Sequence, residues 1–244
     1  ESDLRALSLI NLLMKYADDT TLLVPCNTDV QIDAEFDNIQ TWAVANKMTI
    51  NVAKTKEIVF RRPSARCTTV LPPMLPCIER VKSAKLLGVF ITDNLKFGDH
   101  VNYVLQRSCQ RLYLLKMLRC QGLSLHNLSI VCVALLISRL TYAISAWGGF
   151  CSASDVGRIN SFLKRVVKYG FLTECSDFNS YLDQADLKLF KRMCHSDHCL
   201  HMLLPALKPT VCQKLRRRTH VYTLPKYRYE LFKKSFVLRC LYNF

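Results

Sequence analysis

The sequence predicts an α+β protein, and three observations carry that prediction. Two apolar, partly β-branched runs, "SLINLLMKY" at 8–16 and "TTLLV" at 20–24, flank a short acidic break, the pattern of a hairpin. Ile32, Phe36, Ile39 and Ala43 recur at three- and four-residue steps, the period of a helix lying on a sheet. From His100 to Phe150 the apolar residues keep helical spacing through two long runs. Strands gather early and helices late, as in α+β folds.

The elements follow in order. "ADD" sits between the first two strands; Asp tolerates turn geometry, and Pro25 closes the second strand. Thr28 or Asp29 is placed to cap a helix over 30–46, with Trp42 beside its apolar face. A strand "KEIVF" at 56–60 follows, with Ile58 and Phe60 on one face. "RRPSARCTTVLPPMLPC" is proline-rich and basic and reads as a loop with extended pieces. "KLLGVFITDNLKF" at 85–97 reads as two strands with "TDN" as the turn, or as one strand and a bend.

Val101, Val104, Leu105, Leu112, Leu115, Met117 and Leu118 predict a first long helix. "LHNLSIVCVALLISRLTYAISAWGG" predicts a second, stopped by Gly148 and Gly149. That run is long enough to span a membrane, but Arg139 sits in its middle and Ser138, Thr141, Tyr142 and Ser145 weaken it. The expectation is a buried helix of a soluble domain and no membrane partner. A third helix is expected at 152–171, with Ser154 as its cap. Its apolar face is Val156, Ile159, Leu163 and Val166, flanked by Phe162 and Val167, and its exposed face is Arg158, Lys164, Arg165 and Lys168. Shorter helical pieces and a basic, aromatic tail complete the chain. The expected organisation is a mixed piece at 1–98, a helical piece at 99–171 and a basic region at 172–244.

The chain has 244 residues, half of them hydrophobic, which suits one or two domains with a sizeable core and excludes a disordered chain. It begins with Glu1, and nothing before Asp18 has the layout of a signal peptide. The start reads as a cut edge with upstream sequence missing. The net charge of +15 is unevenly spread. Residues 1–60 carry 5 basic and 9 acidic side chains, a balance of −4. The balance is +8 over 61–155 (12 basic, 4 acidic) and +11 over 156–244 (17 basic, 6 acidic). An acidic start followed by a basic remainder favours a polyanionic partner over a merely soluble surface.

The twelve cysteines are scattered, with no C-x-x-C pair. They fit a disulfide framework in a secreted chain and reduced thiols in an intracellular one; without a signal peptide the second is expected.

Adjacent carboxylates in a tight turn can project into one small region. Hard divalent cations take oxygen ligands, and Mg²⁺ at a phosphate site usually takes one or two from protein carboxylates. Two such ions about 3.5–4 Å apart activate an attacking hydroxyl and stabilise a leaving phosphate. "DD" alone says little, because acidic pairs at turns are common and usually just solvated. "YADD" at 16–19 says more, and here the chain resembles the reverse transcriptases, whose signature hairpin is Y-x-D-D.

The likeness continues in order. "WAVANKMTINVAKTKEIVF" resembles the segment after that hairpin in non-LTR (LINE-type) retrotransposon enzymes, especially jockey-like ones. "KLLGVFITDNLKF" resembles their primer-grip hairpin, and "LTYAISAWG" and "INSFLKRVVKYGF" resemble their thumb and post-thumb helices. "LRRRTHVYTLP" and "KKSFVLRCLYNF" resemble the ends of such reading frames.

What the resemblance implies is a partial polymerase palm (antiparallel hairpin plus helix), an all-helical thumb and a basic helical tail. Asp18 becomes a metal ligand and Asp19 the second acidic residue. Tyr16 packs beneath nucleotide or template. Lys54 stands near the incoming triphosphate, where an ammonium can neutralise or protonate the leaving pyrophosphate; Lys56 is the second choice. Leu87 and Gly88 shape the primer grip, Gly88 because a close backbone approach tolerates no side chain. The implied cofactor is Mg²⁺, with Mn²⁺ as a substitute. The implied partners are an RNA template, a DNA primer, deoxynucleoside triphosphates, and the upstream palm, fingers and endonuclease regions. Location in the nucleus and in a cytoplasmic ribonucleoprotein follows from the same likeness.

The family's palm draws another aspartate and a glycine-rich segment from upstream. Only 15 residues precede Tyr16, and none matches either motif. The expectation is therefore a chain inactive alone, or a non-catalytic nucleic-acid-binding remnant. Arg107, Arg111, Lys116 and Arg119 are candidates for one phosphate-binding face of the first thumb helix, joined by Lys164 and Arg165. Arg216, Arg217 and Arg218 continue the charge into the tail. There His220, Tyr222, Tyr227, Tyr229 and Phe232 alternate with Lys226, Arg228, Lys233 and Lys234. That alternation suits stacking on single-stranded nucleic acid, or a packed aromatic core with a charged rim.

"CHSDHCLH" at 194–201 holds zinc-ligand types, but the spacing is too tight for a finger and no second pair stands at a usual distance, so zinc is not expected. No serine, histidine or cysteine carries a local motif for nucleophilic catalysis.

Overall fold

In the computed structural model, residues 3–61, 71–208 and 220–244 are described. They form an α+β protein whose chain divides into two compact units, 1–84 and 85–244.

The first unit opens on an antiparallel hairpin of β1 (Leu12–Tyr16) and β2 (Asp19–Leu23). Pairing runs from Leu12 opposite Leu23 to Tyr16 opposite Asp19, so Ala17 and Asp18 alone make the turn. Residues 8–11, expected to extend the first strand, bend instead. Glu35 explains why: its carboxylate accepts from the backbone N–H groups of Leu7 and Ser8 and from Asn11 Nδ2. Glu35 lies in α1 (Ile32–Ala45), beside the expected face, and is fully buried by this bend. Neither expected cap serves that helix. Gln31 is the N-cap with no side-chain bond, Asp29 accepts from the Ser8 hydroxyl, and Thr28 donates to Asn11 and to the Val30 carbonyl.

The strand expected at 56–60 is only β3 (Lys56–Glu57), paired in parallel with β4 (Glu79–Arg80). Phe60 is exposed. Arg80 grips the buried Glu57 carboxylate through two nitrogens, 2.9 and 2.8 Å. That fork, with the burial of Leu75 and Ile78, closes the unit.

The division between the units falls inside the strand pair β5 (Ser83–Leu86) and β6 (Val89–Thr92). Its turn is Leu87–Gly88, with φ of 45° and 90°, as two-residue hairpins require. "TDN" instead ends β6: Thr92 Oγ1 donates to the Lys96 carbonyl and Leu95 takes a positive φ. The second unit then builds its core around α2 (Gly98–Cys120), whose Val101, Val104, Leu112 and Leu115 are buried.

The expected second long helix is broken into pieces. They are α3 (Leu125–Cys132), a π-helical turn (Val133–Ile137), α4 (Ser138–Thr141), α5 (Ile144–Trp147) and a 3₁₀ turn (Gly148–Phe150). Ser138 and Thr141 hydroxyls bond back to the carbonyls four residues earlier, which bends helices. At Tyr142–Ala143 the helix stops, with Ala143 at φ 50°. The freed Tyr142 carbonyl accepts from Trp147 Nε1 at 2.9 Å. Leu125–Phe150 is long and apolar enough to cross a membrane by length and composition. Leu128, Cys132, Leu136, Leu140, Ile144 and Trp147, spaced by four or three, are buried in the core of this unit.

The third helix, α6 (Ala153–Lys168), is capped by Ser152, whose Oγ accepts from the Asp155 N–H, rather than by Ser154. Its apolar face is as expected, and Phe162 belongs inside it, 1 % exposed. α7 (Phe178–Met193) is capped by Asp177. A 3₁₀ turn (His201–Leu203), α8 (Glu230–Lys233) and α9 (Phe236–Asn243) complete the described chain. Phe190 of α7, Tyr222, Cys240 and Leu241 form a second, smaller core.

Candidate functional site

The YADD hairpin presents its acidic pair to solvent. Asp18 sits in the turn and Asp19 opens β2, one residue apart, and both are exposed. Ala17 holds φ 52°, a region that costs energy for a residue with a Cβ. The hairpin is short of partners: Leu12, Met14, Tyr16 and Leu23 are all exposed, Tyr16 by 69 %. Two strands rarely stand alone in water; a further strand, or packing against a helix, stabilises such a hairpin. Lys15 lies over the Trp42 ring at 4.6 Å, which ties β1 to α1.

Two carboxylates can supply part of the coordination shell of a hard divalent ion. Among the described residues, no group of three or more histidine, cysteine, aspartate or glutamate side chains is arranged to hold a metal. Lys54 is exposed in a turn whose backbone is held by Asn51. The Lys56 ammonium is paired with Glu79 across β3 and β4.

The four basic residues expected on one face of α2 fall on two. At 100° per residue Arg107 and Arg111 lie about 40° apart, while Lys116 lies about 180° from Arg107. Lys116 sits over the Tyr169 ring at 3.9 Å. Arg119 donates to the Tyr169 carbonyl at 2.7 Å and covers Phe171. These two residues pin the end of α2 to the end of α6. Lys164 and Arg165 are exposed on α6.

Arg111 leads into an open cleft of about 390 Å³ within the second unit. Its wall includes Lys85, Gly88, Tyr103, Arg139 and Tyr142. Lys85 Nζ is 3.4 Å from the Tyr103 hydroxyl and 5.0 Å from the centre of its ring. Lys85 first, then Arg139 and Arg107, holds that hydroxyl below the usual tyrosine pKa. Tyr142 donates to the Leu87 carbonyl at 3.0 Å, fixing its ring beside the β5–β6 turn. A Cβ on Gly88 would meet that ring at 3.3 Å, and φ of 90° already favours glycine. The close approach at Gly88 is thus made by a tyrosine of the same unit.

His100 forms the floor. It is 2 % exposed, accepts a long bond from the Phe90 N–H at 3.4 Å, and packs edge-on to Trp147. Burial, with Lys85 adding to it, pushes its pKa down to about 4.

Lys85, His100, Tyr103, Arg139 and Tyr142 are among the cleft residues that sequence reasoning missed. The basic and aromatic types were visible, but their convergence depends on the break at Tyr142. In the tail, His220 and Tyr222 are buried: His220 Nε2 faces the Leu241 carbonyl at 2.8 Å. Tyr227 packs against Tyr242 with Lys233 above it. The packed-core alternative therefore describes His220 and Tyr222; Tyr227 is half-buried, and Tyr229 and Phe232 are exposed. Arg216, Arg217 and Arg218 lie outside the described residues. In "CHSDHCLH", the ring nitrogens of His198 and His201 face the Leu200 N–H and the Met193 carbonyl. The ten described cysteines are unbridged.

No protein-family model, no curated protein and no solved structure matches this chain.

Proposed function

We propose that the chain is the C-terminal part of an RNA-directed DNA polymerase of a non-LTR retrotransposon. It would contribute the Y-x-D-D palm hairpin, a primer-grip turn and a basic thumb. The observation that carries the reading is the YADD stretch at the tip of an antiparallel hairpin, with Asp18 and Asp19 open to solvent. The bare apolar surface of that hairpin supports a palm completed by strands from elsewhere in the intact protein.

In the intact enzyme, Asp18 and Asp19 would share Mg²⁺ with a third carboxylate, and the ions would activate the primer 3′-hydroxyl and hold the leaving pyrophosphate. Asp18 and Asp19 make only part of that site, so this chain alone is expected to bind primer–template without extending it. A second reading, a non-catalytic remnant that only binds nucleic acid, is favoured by the concentration of cations around the cleft.

Gel-shift and extension assays on the purified chain test the proposal. Binding of a recessed RNA–DNA duplex that weakens steeply with salt, with no nucleotide added, is the expected result. Extension abolished by Asp18→Ala would overturn the incompleteness of the site. Absence of duplex binding at low salt would overturn the polymerase reading itself.

A further inference from the structure

The cleft of the second unit has a feature that a general phosphate-binding surface does not explain. Lys85, Arg111 and Arg139 line it, and not one of its lining residues is acidic. Two other arginines of this unit, by contrast, face carboxylates: Arg239 grips Asp186, and Arg158 meets Asp155 and also Asn102. Cations held together without a carboxylate repel one another, and an anion relieves that repulsion.

The cleft is also shaped. Tyr103 is fixed edge-on to Phe90, ring centres 5.1 Å apart, and Tyr142 is fixed by its bond to Leu87. Rigid aromatic faces stack on bases at little cost in side-chain entropy. Lys85 and Arg107 lie over the ring of Tyr103, whereas Tyr142 is 54 % exposed. The volume, about 390 Å³, falls in the range of small-molecule sites.

We propose that this cleft is a seat for one nucleoside phosphate. Lys85 and Arg139 hold the phosphate beside the Tyr103 hydroxyl, and the base lies on Tyr142. Arg111 gives one N–H to the Leu135 carbonyl and keeps others for the anion. The unit can be a free nucleotide or one residue of a single strand, since both present a phosphate joined to a base. The seat does not rest on the polymerase reading: it requires neither Asp18 nor Asp19, and recessed-duplex binding does not measure it.

Titration of the full chain with adenosine 5′-monophosphate, inorganic phosphate, adenosine and a short oligonucleotide, followed by NMR of the tyrosine rings, tests it. The monophosphate is expected to bind, to bind tighter than phosphate or adenosine alone, and to shift the Tyr103 and Tyr142 resonances. Arg139→Gln and the exposed Lys85→Gln should each weaken it about tenfold. Tyr142→Leu should weaken the monophosphate and leave phosphate unchanged, while Tyr142→Phe, which keeps the ring but loses its bond to Leu87, should weaken it less. Lys188→Gln, on the exposed side of α7, should change nothing. A tighter oligonucleotide identifies a strand as the source of the unit, and a tighter monophosphate identifies a free nucleotide; both support the seat. Saturation by phosphate as tight as by the monophosphate, or affinity unchanged in both Arg139→Gln and Lys85→Gln, would overturn it.

Discussion

Single residues set the local geometry in each unit. Glu35 is fully buried, and burial alone would raise its pKa; the bonds from Asn11, Ser8 and Leu7 outweigh that and hold it below 4.5. A depressed carboxylate stabilises the fold above its unfolded pKa, and that contribution is lost as pH falls through the folded value. Glu35→Leu, which leaves two backbone N–H groups and Asn11 unpaired, should cost about 1–3 kcal/mol per orphaned group in a denaturant titration, and should loosen residues 7–11. Ala17→Gly should act oppositely, raising stability by about 0.5–1 kcal/mol, because glycine tolerates its positive φ. His100 behaves as a buried neutral base. Its pKa of about 4, against an ordinary 6.5, means that the unfolded state binds more protons between those values. The second unit should therefore lose stability as pH falls from 6.5 toward 4, and His100→Gln should flatten that slope in melts taken across the range. Glu35 was not legible as a core residue, because a carboxylate is rarely buried and its donors come from a bend that no periodicity announces.

Among the elements, the hairpin, α2 and α6 were legible because each carries an apolar pattern over most of its length. The segment 125–150 was not. Its composition is that of one continuous helix, but the break depends on side-chain hydroxyls turned onto the backbone and on Trp147 reaching the Tyr142 carbonyl. The cap of α6 was misplaced by two residues for a similar reason: both Ser152 and Ser154 are good caps, and the Asp155 N–H decides between them. The docking of α9 was invisible in the sequence, because its partners are distant. Arg239 bonds Asp186 of α7 and the carbonyls of Ser145 and Lys234. A Cβ on Gly149 would clash with Arg239 Nη1 and lie 2.6 Å from the Lys234 carbonyl oxygen, so that site admits only glycine. Gly149→Ala and Asp186→Asn should each release α9, and the second should cost about 3–5 kcal/mol by removing the counter-charge of a largely buried guanidinium. Hydrogen exchange at 236–243 reads the release directly.

At the scale of the whole molecule, the asymmetry of charge was plain in the sequence: an acidic start and a strongly basic remainder. The structure adds that the charge is sorted by task. Lys116 and Arg119 hold helices together, while Lys85, Arg111 and Arg139 line a cleft. Arg119→Ala should accordingly lower the stability of the second unit more than it lowers affinity for nucleic acid. For a single strand, the slope of log affinity against log salt should change by about one unit for each phosphate contact removed, so Arg139→Gln should flatten it and Arg119→Ala should not. A photocrosslink tests the hairpin at residues 16–19 directly. A photoreactive phenylalanine replacing Tyr16, beside the exposed acidic pair, is irradiated with a recessed primer–template whose primer carries a 3′-end label. Crosslinks confined to the last few primer nucleotides are expected. Crosslinks spread evenly along the duplex, or none at salt concentrations where the complex forms, would contradict a polymerase hairpin at residues 16–19.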